Sequence, residues 1–300
     1  MISDIMTTEH AAKLPRARRA NLVELARQIR CGALAAIYHA GSGHPGGALS
    51  AADILAYLFA TDLTLSPDHP QRDRFVLSKG HACPALYAAA VQAGWCDVQE
   101  LKSLRRIDSV LQGHPHVGAT PWVETSTGSL GQGFSVAAGM ALGLRFQRSD
   151  ARVYVMLGDG EMQEGQVWEA ALFGAHHQLT NLCAIVDYNK LQSDDDNENI
   201  LGIAPLVDKW QAFGWNVQQC DGHDFAALDR VFTAAKNERQ RPQVIIAHTV
   251  KGQGVSYMAG VPAWHGSVKM REEETRRALS EIGASEHEIE SWLTPREVQA

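Results

Sequence analysis

Val153-Tyr154-Val155-Met156-Leu157-Gly158-Asp159-Gly160 opens on five apolar residues in a row and closes on an aspartate between two glycines. A strand that is apolar on both faces belongs in a sheet covered on both sides, as parallel sheets are. Leu182-Cys183-Ala184-Ile185-Val186 repeats the pattern and closes on Asp187-Tyr188-Asn189, with Asn189 30 positions after Asp159. Between the two runs, residues 165–177 read as a helix. Strand, helix and return strand set both tips side by side at the carboxyl edge, where ligands of open α/β sheets bind.

Working outward, the alternation continues. The sequence predicts strands at 75–77, 215–220 and 243–249, with helices at 21–40, 50–60, 83–93, 130–146, 205–213 and 224–238. The helix at Leu130–Phe146 is small and apolar all round, which predicts a buried helix. Gly41-Ser42-Gly43-His44-Pro45-Gly46-Gly47 packs four glycines and a proline into seven residues and reads as a loop. The expected architecture is α/β: a single doubly wound, mostly parallel sheet with helices on both faces. Residues 1–20 are expected to be a lead-in, 21–270 the one large domain and 271–300 a tail of two short polar helices at 270–282 and 285–293.

Composition narrows the function. The chain has 300 residues, 45% hydrophobic and 20% charged, and carries 27 − 34 = −7 formal charges. An acidic balance argues against non-specific nucleic-acid binding, which needs a basic face. The softest run, 134–144, is interrupted by Ser135 and falls short of the ~20 residues that span a bilayer. The N-terminus lacks an apolar core, since Asp4, Glu9 and Lys13 interrupt it, so no export signal is expected. Five widely spaced cysteines without a CxxC pair fit a reducing cytoplasm.

Two groups of residues carry chemistry. Asp159 and Asn189, at paired strand tips, are hard oxygen ligands suited to Mg²⁺ or Ca²⁺ with phosphate oxygens completing the shell. The plain alternative is that Gly158-Asp159-Gly160 is only a strand-end turn. Four histidines sit in glycine-rich or turn-like settings: His44, His81, His114 and His265. Each alone reads as a structural histidine. Four in loops suggest a site, and neutral imidazoles serve hydroxyls, phosphate oxygens and protons near neutral pH. Their spacing is not that of zinc ligands. Gly128-Ser129-Leu130-Gly131-Gln132-Gly133 does not fit the dinucleotide fingerprint. Asp194-Asp195-Asp196 fails the calcium-loop spacing and reads as a solvated acidic loop.

Taken together, GSGHPGGALSAADIL (41–55), SKGHA (78–82), QGHP (112–115), ETSTGSLGQG (124–133), LGDGEMQEGQVWEA (157–170), DYNKLQ (187–192) and WHG (264–266) resemble the N-terminal, diphosphate-binding half of the transketolase family. The resemblance implies thiamine diphosphate held with Mg²⁺ or Ca²⁺, and transfer of a two-carbon ketol unit from a ketose to an aldose. By carry-over, Asp159, Asn189 and the carbonyl of Leu191 would hold the metal. His81, Gly128, Leu130, Gly160, Glu161, Asn189 and His265 would contact the cofactor. His44, His114 and His265 would act on the sugar. Glu164 and Glu169 match acidic residues at the family's subunit interface, although five positions on a helix are about 140° apart. Ser129 and Tyr188 depart from common family residues without removing a ligand. A complete transketolase is more than twice this length, so the resemblance implies a partner: a C-terminal transketolase subunit carrying the pyrimidine-binding domain, in an α2β2 heterotetramer. The nearest rival is the α chain of a two-subunit 2-oxoacid dehydrogenase. Further alternatives are a Mg²⁺-dependent phosphohydrolase or a non-catalytic subunit.

Overall fold

The computed structural model describes residues 16–63 and 66–296. In chain order the elements are α1 (Arg16–Ala40), α2 (Pro45–Thr61), β1 (Arg74–Leu77), α3 (Cys83–Gln92), α4 (Gln132–Phe146), β2 (Val153–Gly158), α5 (Gly165–His176), β3 (Leu182–Tyr188), α6 (Asn197–Leu201), α7 (Leu206–Ala212), β4 (Asn216–Asp221), α8 (Phe225–Asn237), β5 (Gln243–His248), α9 (Glu272–Glu281) and α10 (Glu286–Leu293). The five strands form one sheet in the order β1-β2-β3-β5-β4, and every pairing is parallel. All carboxyl ends therefore lie on one edge.

Alternate side chains of each strand enter two separate cores, which explains the unbroken apolar runs. Tyr154, Met156, Cys183, Ile185, Ile245 and Ala247 face α1, α2, α3 and α8. Val153, Val155, Leu157, Leu182, Ala184, Val186, Val244 and Ile246 face α4, α5 and α7. A fully buried aliphatic side chain contributes about 1.5–3 kcal/mol, so neither layer is dispensable. β3 leads to β4 across the slot that β5 later fills, and α8 returns on the opposite face to α5.

Five expectations change. α2 begins inside the glycine run, at Pro45, because proline fits the first helical position. The glycines then let the turn pack: a Cβ on Gly46 would fall 2.9 Å from the Trp264 carbonyl oxygen. α1 starts at Arg16, so the expected lead-in is helical over its last residues; the rest of it lies outside the described residues. α4 starts at Gln132, capped by left-handed Gly131, and Leu130 stays in the loop before it. α4 is also not buried all round. Phe134, Ala137, Ala138 and Ala141 are buried, but Val136 and Phe146 are exposed, as is Leu172 on α5. Finally, α9 and α10 join the larger core: Leu279, Ile289, Trp292 and Leu293 pack into it, and both helices contact α1. No helix among the described residues is long and apolar enough to cross a membrane.

Candidate active site

The ends of β1, β2, β3 and β5 converge on a cleft of about 420 Å³. It is lined by His44, His81, His114, Gly128, Leu130, Asp159, Gly160, Glu161, Glu164, Asn189, Leu191 and His265, with Lys79 and Lys251. The structure thus brings together every residue to which the resemblance gave a role except Glu169, which is exposed on α5 outside the cleft.

The floor is built from strand ends. Gly158 pairs with Asp187 in register, so Asp159 and Asn189 leave the sheet as neighbours. Asp159 is 2% exposed. Its carboxylate accepts only backbone N–H groups, from Gly160 at 2.8 Å and from Lys190. Burial pushes its pKa up to about 6, against the opposing pull of nearby Lys251. Asn189 Oδ1 accepts from Leu191 N at 3.2 Å, and the Leu191 carbonyl accepts from Lys251 Nζ. Burial brings Lys251 down to about 8. Among the described residues no cluster of three His, Cys, Asp or Glu groups could hold a metal. A cation here must therefore use one carboxylate, neutral oxygens and oxygens brought by its ligand. Asp159, in no salt bridge among the described residues, and the all-oxygen donors beside it fit a hard divalent ion carrying a diphosphate.

Three floor residues carried no role in the sequence reading. Asp187, fully buried, accepts from Lys79 Nζ, Thr249 Oγ1, Ser50 Oγ (2.6 Å) and Asn189 Nδ2 (3.3 Å). Burial alone would raise its pKa, but the Lys79 charge and these donors hold it below the usual carboxylate range. One carboxylate thus locks together the exits of β1, β3 and β5 and the first turns of α2. Lys79 also donates to the Gly47 carbonyl at 3.1 Å. Lys251 contacts Leu191 and His265. The only sequence signal for these residues was their place just beyond strand ends. Glu161 is different: Ser78 Oγ, Gly131 N (2.8 Å) and Gly158 N (2.9 Å) all donate to its carboxylate. It lines the cleft, but its carboxylate fastens the loops of the cleft wall together.

The rim is built from loops. The rings of His44, His81 and His265 lie within 5.1–6.2 Å of one another. Burial holds His44 down to about 4, helped by Arg105, and His265 down to about 3, helped by Lys251. Burial holds His81 well below its usual value. All three are neutral imidazoles near pH 7. His44 Nδ1 is buried without a partner. His114 is exposed and rests on Gly128, whose Cβ, if present, would lie 2.8 Å from the ring; Gly128 also has φ +133°. Only glycine suits that position.

A family model described as "Transketolase, thiamine diphosphate binding domain" matches residues 22–300. The chain belongs to the transketolase family. It is 41% identical to a 6-deoxy-6-sulfo-D-fructose transketolase subunit of Clostridium sp. (strain MSTE9), over 87% of this chain and 96% of that protein. It is 39% identical to an apulose-4-phosphate transketolase subunit of Phocaeicola vulgatus, over 82% and 89% of the two chains. The transketolase of Leishmania mexicana superposes with a TM-score of 0.83 at 30% identity, covering 93% of this chain. The chain spans 42% of the length of that solved transketolase. Membership settles the choice against the 2-oxoacid dehydrogenase and phosphohydrolase alternatives.

Proposed function

We propose that this transketolase chain binds thiamine diphosphate through a divalent cation on its floor and, with a second chain, transfers a two-carbon ketol unit from a ketose to an aldose. The observation that carries the reading is the floor itself: a buried carboxylate, in no salt bridge among the described residues, beside two neutral oxygens and facing four imidazoles across one cleft. Asp159, Asn189 Oδ1 and the Leu191 carbonyl would hold Mg²⁺ or Ca²⁺. Gly160, His81, Lys251 and His265 would meet the diphosphate, and Gly128 and Leu130 would flank the rest of the cofactor. When bound, the cofactor supplies the carbon nucleophile that carries the two-carbon unit. His44 and His114, neutral at pH 7, orient the sugar hydroxyls and accept or return their protons. His265 serves both groups from its place between Lys251 and His44.

Likeness along 96% of a protein named as a transketolase subunit supports a separate partner carrying the pyrimidine-binding domain, and an α2β2 assembly. Glu164 and Glu169, both exposed, would lie at that assembly's interface. The sulfosugar and pentulose-phosphate relatives support an anionic ketose as donor. Five free cysteines support a cytoplasmic setting. The test mixes the purified chain with its partner subunit, thiamine diphosphate, Mg²⁺ and a panel of ketose phosphates and sulfonates, with an aldose acceptor. Transfer is expected from the mixture and not from this chain alone. Turnover by the isolated chain contradicts the two-chain reading, and an inactive mixture contradicts the activity.

A further inference from the structure

We infer that Arg105 is a positioning residue: its side chain clamps the three loops that carry His44, His114 and His265, and so sets the spacing of the sugar-binding imidazoles. The inference rests on the functional reading above for what those histidines do. Arg105 does not itself line the cleft. Its Nη1 donates to Ser42 Oγ at 2.6 Å and reaches Ser267 Oγ at 3.4 Å. Ser42 lies two residues before His44, and Ser267 two residues after His265. The same side chain packs against Gly113, the neighbour of His114: a Cβ there would fall 2.9 Å from Arg105 Nε and 3.3 Å from its Cζ.

The first two loops are already joined, since Gly43 and Val268 exchange both backbone hydrogen bonds at 3.1 and 2.8 Å. Among the described residues no backbone hydrogen bond ties the third to them, and the Arg105 side chain bridges that gap. The backbone is shaped for this task. Arg105 has φ +66°, costly for a residue with a Cβ, and its N–H donates to the Leu111 carbonyl at 2.9 Å, closing the 105–111 turn. Strain of this kind persists where the surroundings over-determine it, and it concentrates at functional sites. Among the described residues no carboxylate pairs with the guanidinium. Both serine hydrogen bonds leave one nitrogen, Nη1, while Nε and Cζ lie against Gly113.

The test uses the full chain and the assembled two-chain enzyme, with Arg105→Gly, Arg105→Lys and Ser42→Ala. Arg105→Gly removes the side chain and relieves the strained backbone, which separates the clamp from simple instability. In the full chain, amide hydrogen exchange is expected to rise about tenfold in 41–44, 112–116 and 265–268, and not in the strands. In the assembled enzyme, kcat/KM for the ketose should fall about tenfold to a hundredfold, because small misplacements of orienting groups carry that cost. The thiamine diphosphate Kd should rise far less than kcat/KM falls, since of the three clamped histidines only His265 also meets the cofactor. Arg105→Lys and Ser42→Ala should be intermediate. Exchange unchanged in the histidine loops, or kinetics unchanged in Arg105→Gly, overturns the assignment; so does a cofactor Kd that shifts as much as kcat/KM. An inactive wild-type mixture would defeat the functional reading alone, because the exchange result still decides the clamp.

Discussion

The floor and the rim of the cleft are built on opposite principles. On the floor, charged groups at the ends of β1, β2, β3 and β5 are almost fully buried, and most of their atoms already have a partner: four donors on Asp187, three on Glu161, two on Asp159. On the rim, loops present neutral imidazoles, and among the described residues no hydrogen bond engages the His81 or His114 ring. A dense network in a low-dielectric site is rigid and costly to break. Free donors and acceptors on loops are what a variable polyhydroxylated ligand needs. The floor is thus finished within this chain, and the rim is completed by what binds there.

The difference makes sharp expectations. The largest effect belongs to Asp159→Ala. It removes the carboxylate proposed to meet the cation, so Mg²⁺-supported binding of thiamine diphosphate should disappear by calorimetry while the fold survives. Retained affinity would place the cation elsewhere.

Asp187→Ala should instead damage the fold. It strands the Lys79 ammonium in a dry site, a loss of about 3–5 kcal/mol in denaturant unfolding, as when one partner of a buried pair is removed. A loss under ~1 kcal/mol would show that the network is not the rigid element described here.

The smallest effect is on the rim and depends on pH. The folded chain holds His44 near 4, whereas the unfolded chain binds that proton below about 6.5. The unfolded state therefore carries more protons between these values, so stability is intact above pH 6.5 and falls as pH drops toward 4. Asp159, raised to about 6, works in the opposite direction. Comparing His44→Ala with the parent isolates the histidine: its stability curve should be flatter between pH 6.5 and 4.5 by a few tenths to about 1 kcal/mol per pH unit, allowing for partial solvent screening. Parallel curves would mean that the ring is not held neutral by burial.

The same contrast explains what could be read from the sequence. The strands were legible because burial on both faces leaves an unbroken apolar signature, as in 153–157 and 182–186. Asp159 and Asn189 were legible because each ends such a strand. The cleft histidines stood out against glycines. The floor network did not, because Lys79, Asp187 and Lys251 come from the exits of β1, β3 and β5 and meet only once the sheet orders itself β1-β2-β3-β5. A single lysine carries no sign that it is buried. The start of α2 was hidden for a related reason: proline and glycine suggest a loop by propensity, while tight packing against Lys251 and Trp264 makes that turn helical. Composition also could not say which side of α4 this chain leaves uncovered.

The division of the rim histidines into a sugar-facing and a cofactor-facing group is tested most directly by one paired measurement in the assembled enzyme: thiamine diphosphate Kd and ketose kcat/KM for His114→Ala beside His81→Ala. His114 sits on Gly128 at the open side, so its loss should lower kcat/KM by about two to three orders of magnitude, the ~2.7–4 kcal/mol of one hydrogen bond to a developing charge, with Kd nearly unchanged. His81, packed beside Gly47 and the Lys79 ammonium, should weaken cofactor binding first, with ketose kinetics largely restored at saturating cofactor. If both substitutions raise the cofactor Kd equally and leave ketose kinetics alone at saturation, the rim histidines do not divide into sugar-facing and cofactor-facing groups, and the division proposed for them is wrong.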